Sequence, residues 1–235
     1  MKKLLIASTS TVHGSGYLEY LLDTLKIHFK FAETILFVPY ARPGGMTHEA
    51  YTEIVKLAFS KIDKTVIGLH EYDNPKKAIK TAEALFVGGG NTFVLVDQLY
   101  KQDLNDELKA AIDSGTPYLG TSAGSNICGL TIGSSNDMPI AYPPSFQTLG
   151  VFPFNINPHY LDPEPDSTHM GEIRETRIQE FHHFNSQPVM GLREGSYLEI
   201  LGSKITLKGP LSARIFEKNK SPYELHSGAD VSNLN

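Results

Sequence analysis

The chain has 235 residues, 40% hydrophobic and 20% charged, with Gly 20 and Pro 14, a balance that supplies a sizeable core and excludes a collagenous or disordered protein. Lys+Arg 21 against Asp+Glu 26 gives a net charge of −5 with no basic block, so the cation density that nucleic acid or an anionic membrane surface needs is missing. A single cysteine, Cys128, excludes an intramolecular disulfide and a multi-cysteine zinc site and fits a reducing compartment.

At the amino terminus, Met1-Lys2-Lys3 precedes an apolar run that ends by Ser8, too short for the apolar core of a signal peptide. No segment reaches the roughly 20 apolar residues of a membrane span. The expectation is a cytoplasmic protein with one α/β domain over residues 1–235. Leu4–Ser8, Thr34–Val38, Thr65–Leu69, Ala84–Val87 and Pro117–Gly120 are short, apolar and bounded by turn residues, which predicts buried strands. Between them, Leu18, Leu21, Leu22, Leu25 and Phe29 form one helical stripe, and Leu104, Leu108, Ala111 and Ile112 form another. Alternating strand and helix predicts an open, mostly parallel sheet with helices on both faces.

After residue 130, Pro139, Pro143, Pro144, Pro153, Pro158, Pro163 and Pro165 crowd a stretch with little periodicity, which reads as long loops. A polar helix is expected over 171–184 with Ile178 and Phe181 facing inward. Val189–Leu192, Tyr197–Leu201, Lys204–Leu207 and Ala213–Phe216 then predict short strands, an antiparallel C-terminal end to the sheet.

The segment richest in chemistry is Pro117-Tyr118-Leu119-Gly120-Thr121-Ser122-Ala123-Gly124. It places G-x-S-x-G where a strand should turn into a helix, a geometry that lifts a serine above the sheet as a nucleophile. The plainer alternative is a Gly-rich turn that only packs closely. A second turn, Gly88-Gly89-Gly90-Asn91, has Asn91 as a candidate cap for a helix carrying Leu95 and Leu99. Counting G-x-G-x-x-G from Gly88 puts Phe93 at the third glycine, and no P-loop lysine follows, so nucleotide binding is disfavoured. Beside Ser122, the loop would instead add an N–H to that of Ala123 as an oxyanion hole. A tight turn without a further role is the competing interpretation.

A serine nucleophile needs a base within reach. Among nine histidines, His159 in Asn157-Pro158-His159-Tyr160 can return over the strand ends. His182 and His183 sit on the predicted helix, pointing about 100° apart. His28, His48, His70 and His226 are expected at the surface or its boundary, with His13 and His169 open. The orienting carboxylate is either Asp137 or Glu194; taken by residue type alone, Glu194 fits a solvated hairpin acid and Asp137 an ordinary loop acid. His159, Asp162, Glu164, Asp166 and His169 also lie close enough in sequence to raise a metal-hydrolase alternative, although acids alternating with prolines usually mean a solvated loop.

Together, FVGGGNTF at 86–93, GTSAGSN at 120–126, SSNDMPI at 134–140, NPHYLDP at 157–163, GEIRETRI at 171–178 and GLREGS at 191–196 resemble the peptidase E family of aspartyl dipeptidases, cytoplasmic serine hydrolases related to cyanophycinases. The resemblance implies a fold like that of the class I glutamine amidotransferases, flavodoxin-like, with serine rather than cysteine at the elbow. It implies Ser122 as nucleophile, His159 as base, and the N–H groups of Gly90 and Ala123 as oxyanion hole. Both Glu194 and Asp137 stay in play for the third position, with Glu194 favoured. It also implies an Asp-X dipeptide as substrate and no metal or other cofactor; a homo-oligomer is compatible with the chain. Selecting aspartate requires a fixed cation, and the resemblance tips that choice to Arg174 over Arg177, against the alternative of a solvated, charge-alternating helix. Cys128 is expected within the elbow helix as a small buried residue. Ile173 departs from the small polar residue expected there, a matter of local packing. A cyanophycinase-like hydrolase on another aspartyl-linked substrate, or an inactive binding module that keeps the pocket, are the rival functions.

Overall fold

Strands of Leu, Ile, Val and Phe without polar alternation are stable only between two apolar layers. In the computed structural model, which describes residues 1–163, 168 and 170–235, the first five strands lie in such a position. β1 (Lys3–Ala7), β2 (Thr34–Val38), β3 (Thr65–Gly68), β4 (Leu85–Val87) and β5 (Tyr118–Thr121) are parallel, in the order β3-β2-β4-β5-β1. From β2 to β5 this repeats the 2-1-3-4 arrangement of flavodoxin-like sheets, with the chain's first strand in the fifth place.

The period of two sorts the strand residues between faces. Leu5, Ala7, Ile35, Phe37, Phe86 and Leu119 pack with residues of α1 (Leu22–His28) and α2 (His48–Ser60). Leu4, Ile6, Leu36, Val38, Leu85 and Val87 pack with residues of α3 (Pro75–Lys80), α4 (Thr92–Lys101), α5 (Asn105–Ser114) and the single turn α6 (Ala123–Asn126). Each fully buried Leu, Ile or Phe contributes about 1.5–3 kcal/mol relative to exposure. The predicted N-terminal helix is divided: Leu18 has φ 57° and opens a 3-10 turn, Glu19–Leu21, before α1 begins.

The later elements are β6 (Asn155–Pro158), α7 (Arg174–Phe184), β7 (Val189–Leu192), β8 (Tyr197–Leu201), β9 (Lys204–Lys208), β10 (Ala213–Phe216) and β11 (Tyr223–Leu225). Only β8 and β9 form the expected antiparallel end of the main sheet. β7 and β10 belong instead to a second sheet, β11-β10-β7-β6, because β7 pairs in parallel with β6, a strand whose Asn-Ile-Asn-Pro sequence gives no apolar run. One face of this sheet, through Ile156, Met190, Leu192 and Ile215, joins the core beneath the main sheet. Its other face presents Val189 and Phe216 to Tyr160 and to Ile178 of α7, with Phe181 half-buried beside them. α7 begins at Arg174, three residues later than expected.

Two further expectations are corrected. Cys128 lies just beyond the single turn of α6, not inside it, and is fully buried. His28 is also buried, because the last turn of α1 faces β5 and its Nε2 lies 3.2 Å from the Tyr118 carbonyl oxygen. Among the described residues, no helix is long and apolar enough to cross a membrane.

Candidate active site

Parallel strands deliver their following loops to one edge, and the residues after β1, β2, β4 and β5 meet there. Ser122, immediately after β5, has φ 51° and ψ −109°, a conformation that costs a non-glycine residue on the order of 1–3 kcal/mol. The surroundings fix it. Ser122 N–H donates to the Ala7 carbonyl at 3.1 Å, the Ser125 hydroxyl donates to the same oxygen at 2.6 Å, and the amides of Ser125 and Asn126 donate back to Ser122 O at 2.9 Å. Gly124 is required by the close approach to β4, since a Cβ there would sit 2.1 Å from the Val87 carbonyl oxygen.

His159 follows β6 and Glu194 follows β7, so the parallel pairing of those strands sets Glu194 beside His159, which reaches Ser122. Ser122 Oγ is 2.9 Å from His159 Nε2, and His159 Nδ1 is 2.6 Å from Glu194 Oε1. His159 itself has φ 54°, and its amide donates at 2.8 Å to the Ser8 hydroxyl, which donates at 2.7 Å to the Leu192 carbonyl. The side chains of His159 and Glu194 are 36% and 46% exposed, so their contact adds little to stability.

Asp137 is elsewhere engaged. Its Oδ2 accepts from the Thr92 amide at 2.7 Å and the Thr92 hydroxyl at 2.5 Å at the start of α4. Asn91 caps that helix as expected, its Oδ1 accepting from Val94 N–H at 3.1 Å, while its amide donates to Met138 O at 2.8 Å. The 134–138 segment thereby docks on the Gly-rich loop, and reciprocal 2.9 Å bonds between Asn136 and Asn157 join it to the loop of His159.

The cleft around Ser122 and His159 has two lobes that share Asp137. One, of about 410 Å³, is bordered by Ser10, Arg42, Pro43 and Gly89 to Asn91; the other, of about 320 Å³, by Asn126, Ser135, Asn136, Pro158 and Arg174. Gly90 has φ 148° and a Cβ there would lie 2.2 Å from Ala41 O, so only glycine brings this backbone to the cleft. Among the described residues, the N–H groups of Gly90 and Ala123 donate no backbone hydrogen bond. Arg174, the first residue of α7, is half-buried, and desolvation holds its guanidinium below the ordinary value while Glu194 and Asp137 partly offset that effect. Its Nη1 lies 3.4 Å from Pro158 O. Arg177 points elsewhere, 3.9 Å from exposed Glu172.

The metal-hydrolase alternative falls partly on Glu164, Asp166 and His169, which lie outside the described residues. Asp162 is bound by Arg193 through bonds of 2.8 and 2.7 Å. Burial pushes the Cys128 thiol up to about 12, which removes its nucleophilic form near neutral pH. Three contributors had no assigned role in the sequence: Ser8, Arg42 and Arg193. The first two follow strands β1 and β2 at the same edge as the elbow, and that position was the available signal.

An α/β sheet with a strained serine elbow, facing a histidine and a carboxylate in series, defines the class of serine hydrolases built on open parallel sheets. The model of peptidase family S51 matches residues 4–208, and the chain belongs to this family. Peptidase E of Streptomyces coelicolor is 47% identical over 231 residues, covering 98% of this chain and 94% of the relative. A probable alpha-aspartyl dipeptidase of Drosophila melanogaster is 44% identical over 236 residues, covering 99% and 97%. The crystal structure of a peptidase from an acI-B1 Actinobacterium shares the fold, with a TM-score of 0.75 at 16% identity over 98% of this chain and 96% of that one.

Proposed function

We propose that the chain is a serine dipeptidase that hydrolyses Asp-X dipeptides. The observation that carries this reading is the series Ser122 Oγ, His159 Nε2, His159 Nδ1 and Glu194 Oε1, linked by contacts of 2.9 and 2.6 Å on a strained elbow. With Glu194 accepting from Nδ1–H, Nε2 is left as the acceptor that takes the Ser122 proton as Oγ attacks the aspartyl carbonyl carbon. The oxyanion forms beside the N–H groups of Gly90 and Ala123. The C–N bond then breaks as His159 returns the proton to the leaving amine, and water repeats the sequence on the acyl-enzyme. This reading takes Glu194 for the third position and leaves Asp137, which borders both lobes of the cleft, to pair with the free amine of the substrate.

Similarity to the probable alpha-aspartyl dipeptidase of Drosophila melanogaster supports the aspartyl preference, and Arg174 supplies a chemical means for it. Its planar fork can hold the short β-carboxylate of aspartate at two points. The test is turnover of Asp-Leu, Glu-Leu and Asn-Leu by the purified chain and by Ser122→Ala. Rapid hydrolysis of Asp-Leu alone, abolished in the variant, is expected; equal turnover of all three, or activity surviving in Ser122→Ala, would overturn the reading.

A further inference from the structure

The chain has five arginines. Arg177, Arg193 and Arg214 each pair with a carboxylate. Among the described residues Arg42 and Arg174 do not, and these are the two that border the cleft, one in each lobe. An Asp-X dipeptide likewise carries two carboxylates, one on either side of the bond to be broken: the aspartate side chain and the free C-terminus of X.

Arg42 is built as a fixed reader and not as a solvated surface charge. Its guanidinium carbon stands 4.9 Å from the centre of the Tyr51 ring. That ring is itself held edge-on by Phe37, 4.9 Å away, and by a hydroxyl that donates to Gly89 O at 3.1 Å. The platform is therefore tied to the same loop that carries Gly90. Arg42 Nε is buried with no hydrogen-bond partner, a desolvation cost that sets this guanidinium apart from a solvated surface charge. The larger lobe, at about 410 Å³, suits a second residue of variable size, whereas the 320 Å³ lobe of Arg174 suits the constant aspartate side chain.

We propose that Arg42 binds the C-terminal carboxylate of the second substrate residue, and so restricts the enzyme to dipeptides over amides and longer peptides. This rests on the Asp-X reading above and adds the determinant of substrate length. The experiment compares kcat/KM for Asp-Leu, Asp-Leu-amide and Asn-Leu in the wild type, Arg42→Met and Arg42→Lys, with circular dichroism as a check of folding. Wild type should favour Asp-Leu over its amide by at least about tenfold, the discrimination expected of one charge-assisted contact. Arg42→Met should bring that ratio close to one while the preference for Asp-Leu over Asn-Leu persists, and Arg42→Lys, which keeps the cation and most of the stem, should restore part of it. An unchanged amide ratio in folded Arg42→Met would overturn the assignment. Loss of the Asp over Asn preference instead would also overturn it, moving Arg42 to the aspartate side chain. Failure of the wild type to cleave Asp-Leu would remove the Asp-X reading itself, an outcome distinct from cleavage with an unaltered ratio.

Discussion

Ser122 holds a backbone conformation that is costly to the fold, and the proposed reaction makes it the nucleophile. Ser122→Ala deletes a single oxygen at a turn whose backbone bonds to Ala7, Ser125 and Asn126 all remain. Stability should therefore stay within about 0.5 kcal/mol of wild type, while kcat falls on the order of 10⁶-fold. A tenth of wild-type turnover in the variant would sink the nucleophile assignment. The two acids separate by kinetic parameter. Glu194 touches the imidazole and Asp137 touches Thr92, so Glu194→Gln should lower kcat strongly with KM little changed, whereas Asp137→Asn should act mainly on KM. The reverse pattern in steady-state kinetics would transfer the orienting role to Asp137.

At the scale of elements, the proposed catalytic geometry rests on the clamp between the loops after β6 and β7. Arg193, next to Glu194, grips Asp162 from the His159 loop and Glu224 of β11, and also donates to the Ser212 carbonyl at 2.8 Å. The Arg193 guanidinium and the Ser212 hydroxyl hold the Glu224 carboxyl down at about 2, against an ordinary 4.5. Arg193→Ala should cost about 1–3 kcal/mol in urea unfolding and reduce kcat as His159 and Glu194 lose their shared anchor. Unchanged stability together with unchanged kcat would reduce the cluster to surface charge. The sequence exposed part of this arrangement. β1 to β5 and the elbow were legible because continuous apolar runs and G-x-S-x-G carry their own signals. β6 was not: its only large apolar residue is Ile156, and Asn155 and Asn157 are spent on bonds to Leu130, Thr131, Ser134 and Asn136. The second sheet was hidden with it, and so was the geometric reason for choosing Glu194, which lies 35 residues from its histidine. α2 was obscured because Tyr51 and Thr52 are buried among its apolar positions and blur the stripe.

Across the whole molecule, stability in acid should depend on His28, a buried group outside the Ser122–His159–Glu194 series. Burial, reinforced by the Lys3 ammonium, holds His28 down at about 3 against an ordinary 6.5, and the Tyr118 carbonyl offsets this only in part. A histidine depressed by folding is neutral in the native state where the unfolded chain is already protonated. Its contribution is therefore complete above pH 6.5 and is lost progressively as the pH falls toward 3, at about 1.4 kcal/mol per pH unit for one proton. Glu224 adds a lower window: its contribution is present above 4.5 and lost as the pH falls through 2. The two can be resolved because Glu224 does not act between pH 6 and 5, and His48, whose imidazole is also held below its ordinary value by burial, contributes alike to wild type and to a His28 variant. His28 joins α1 to β5, and the Tyr118 hydroxyl on that strand donates at 2.7 Å to Gly124 O in the elbow, so the acid-sensitive contact supports the strand that carries Ser122. In urea titrations at pH 7.5, 6.0, 5.5 and 5.0, His28→Gln, which keeps a donor for the Tyr118 carbonyl, should flatten the dependence of unfolding free energy on pH by about one proton. Parallel wild-type and variant profiles over that range would show that His28 is not the group that couples the fold to acid.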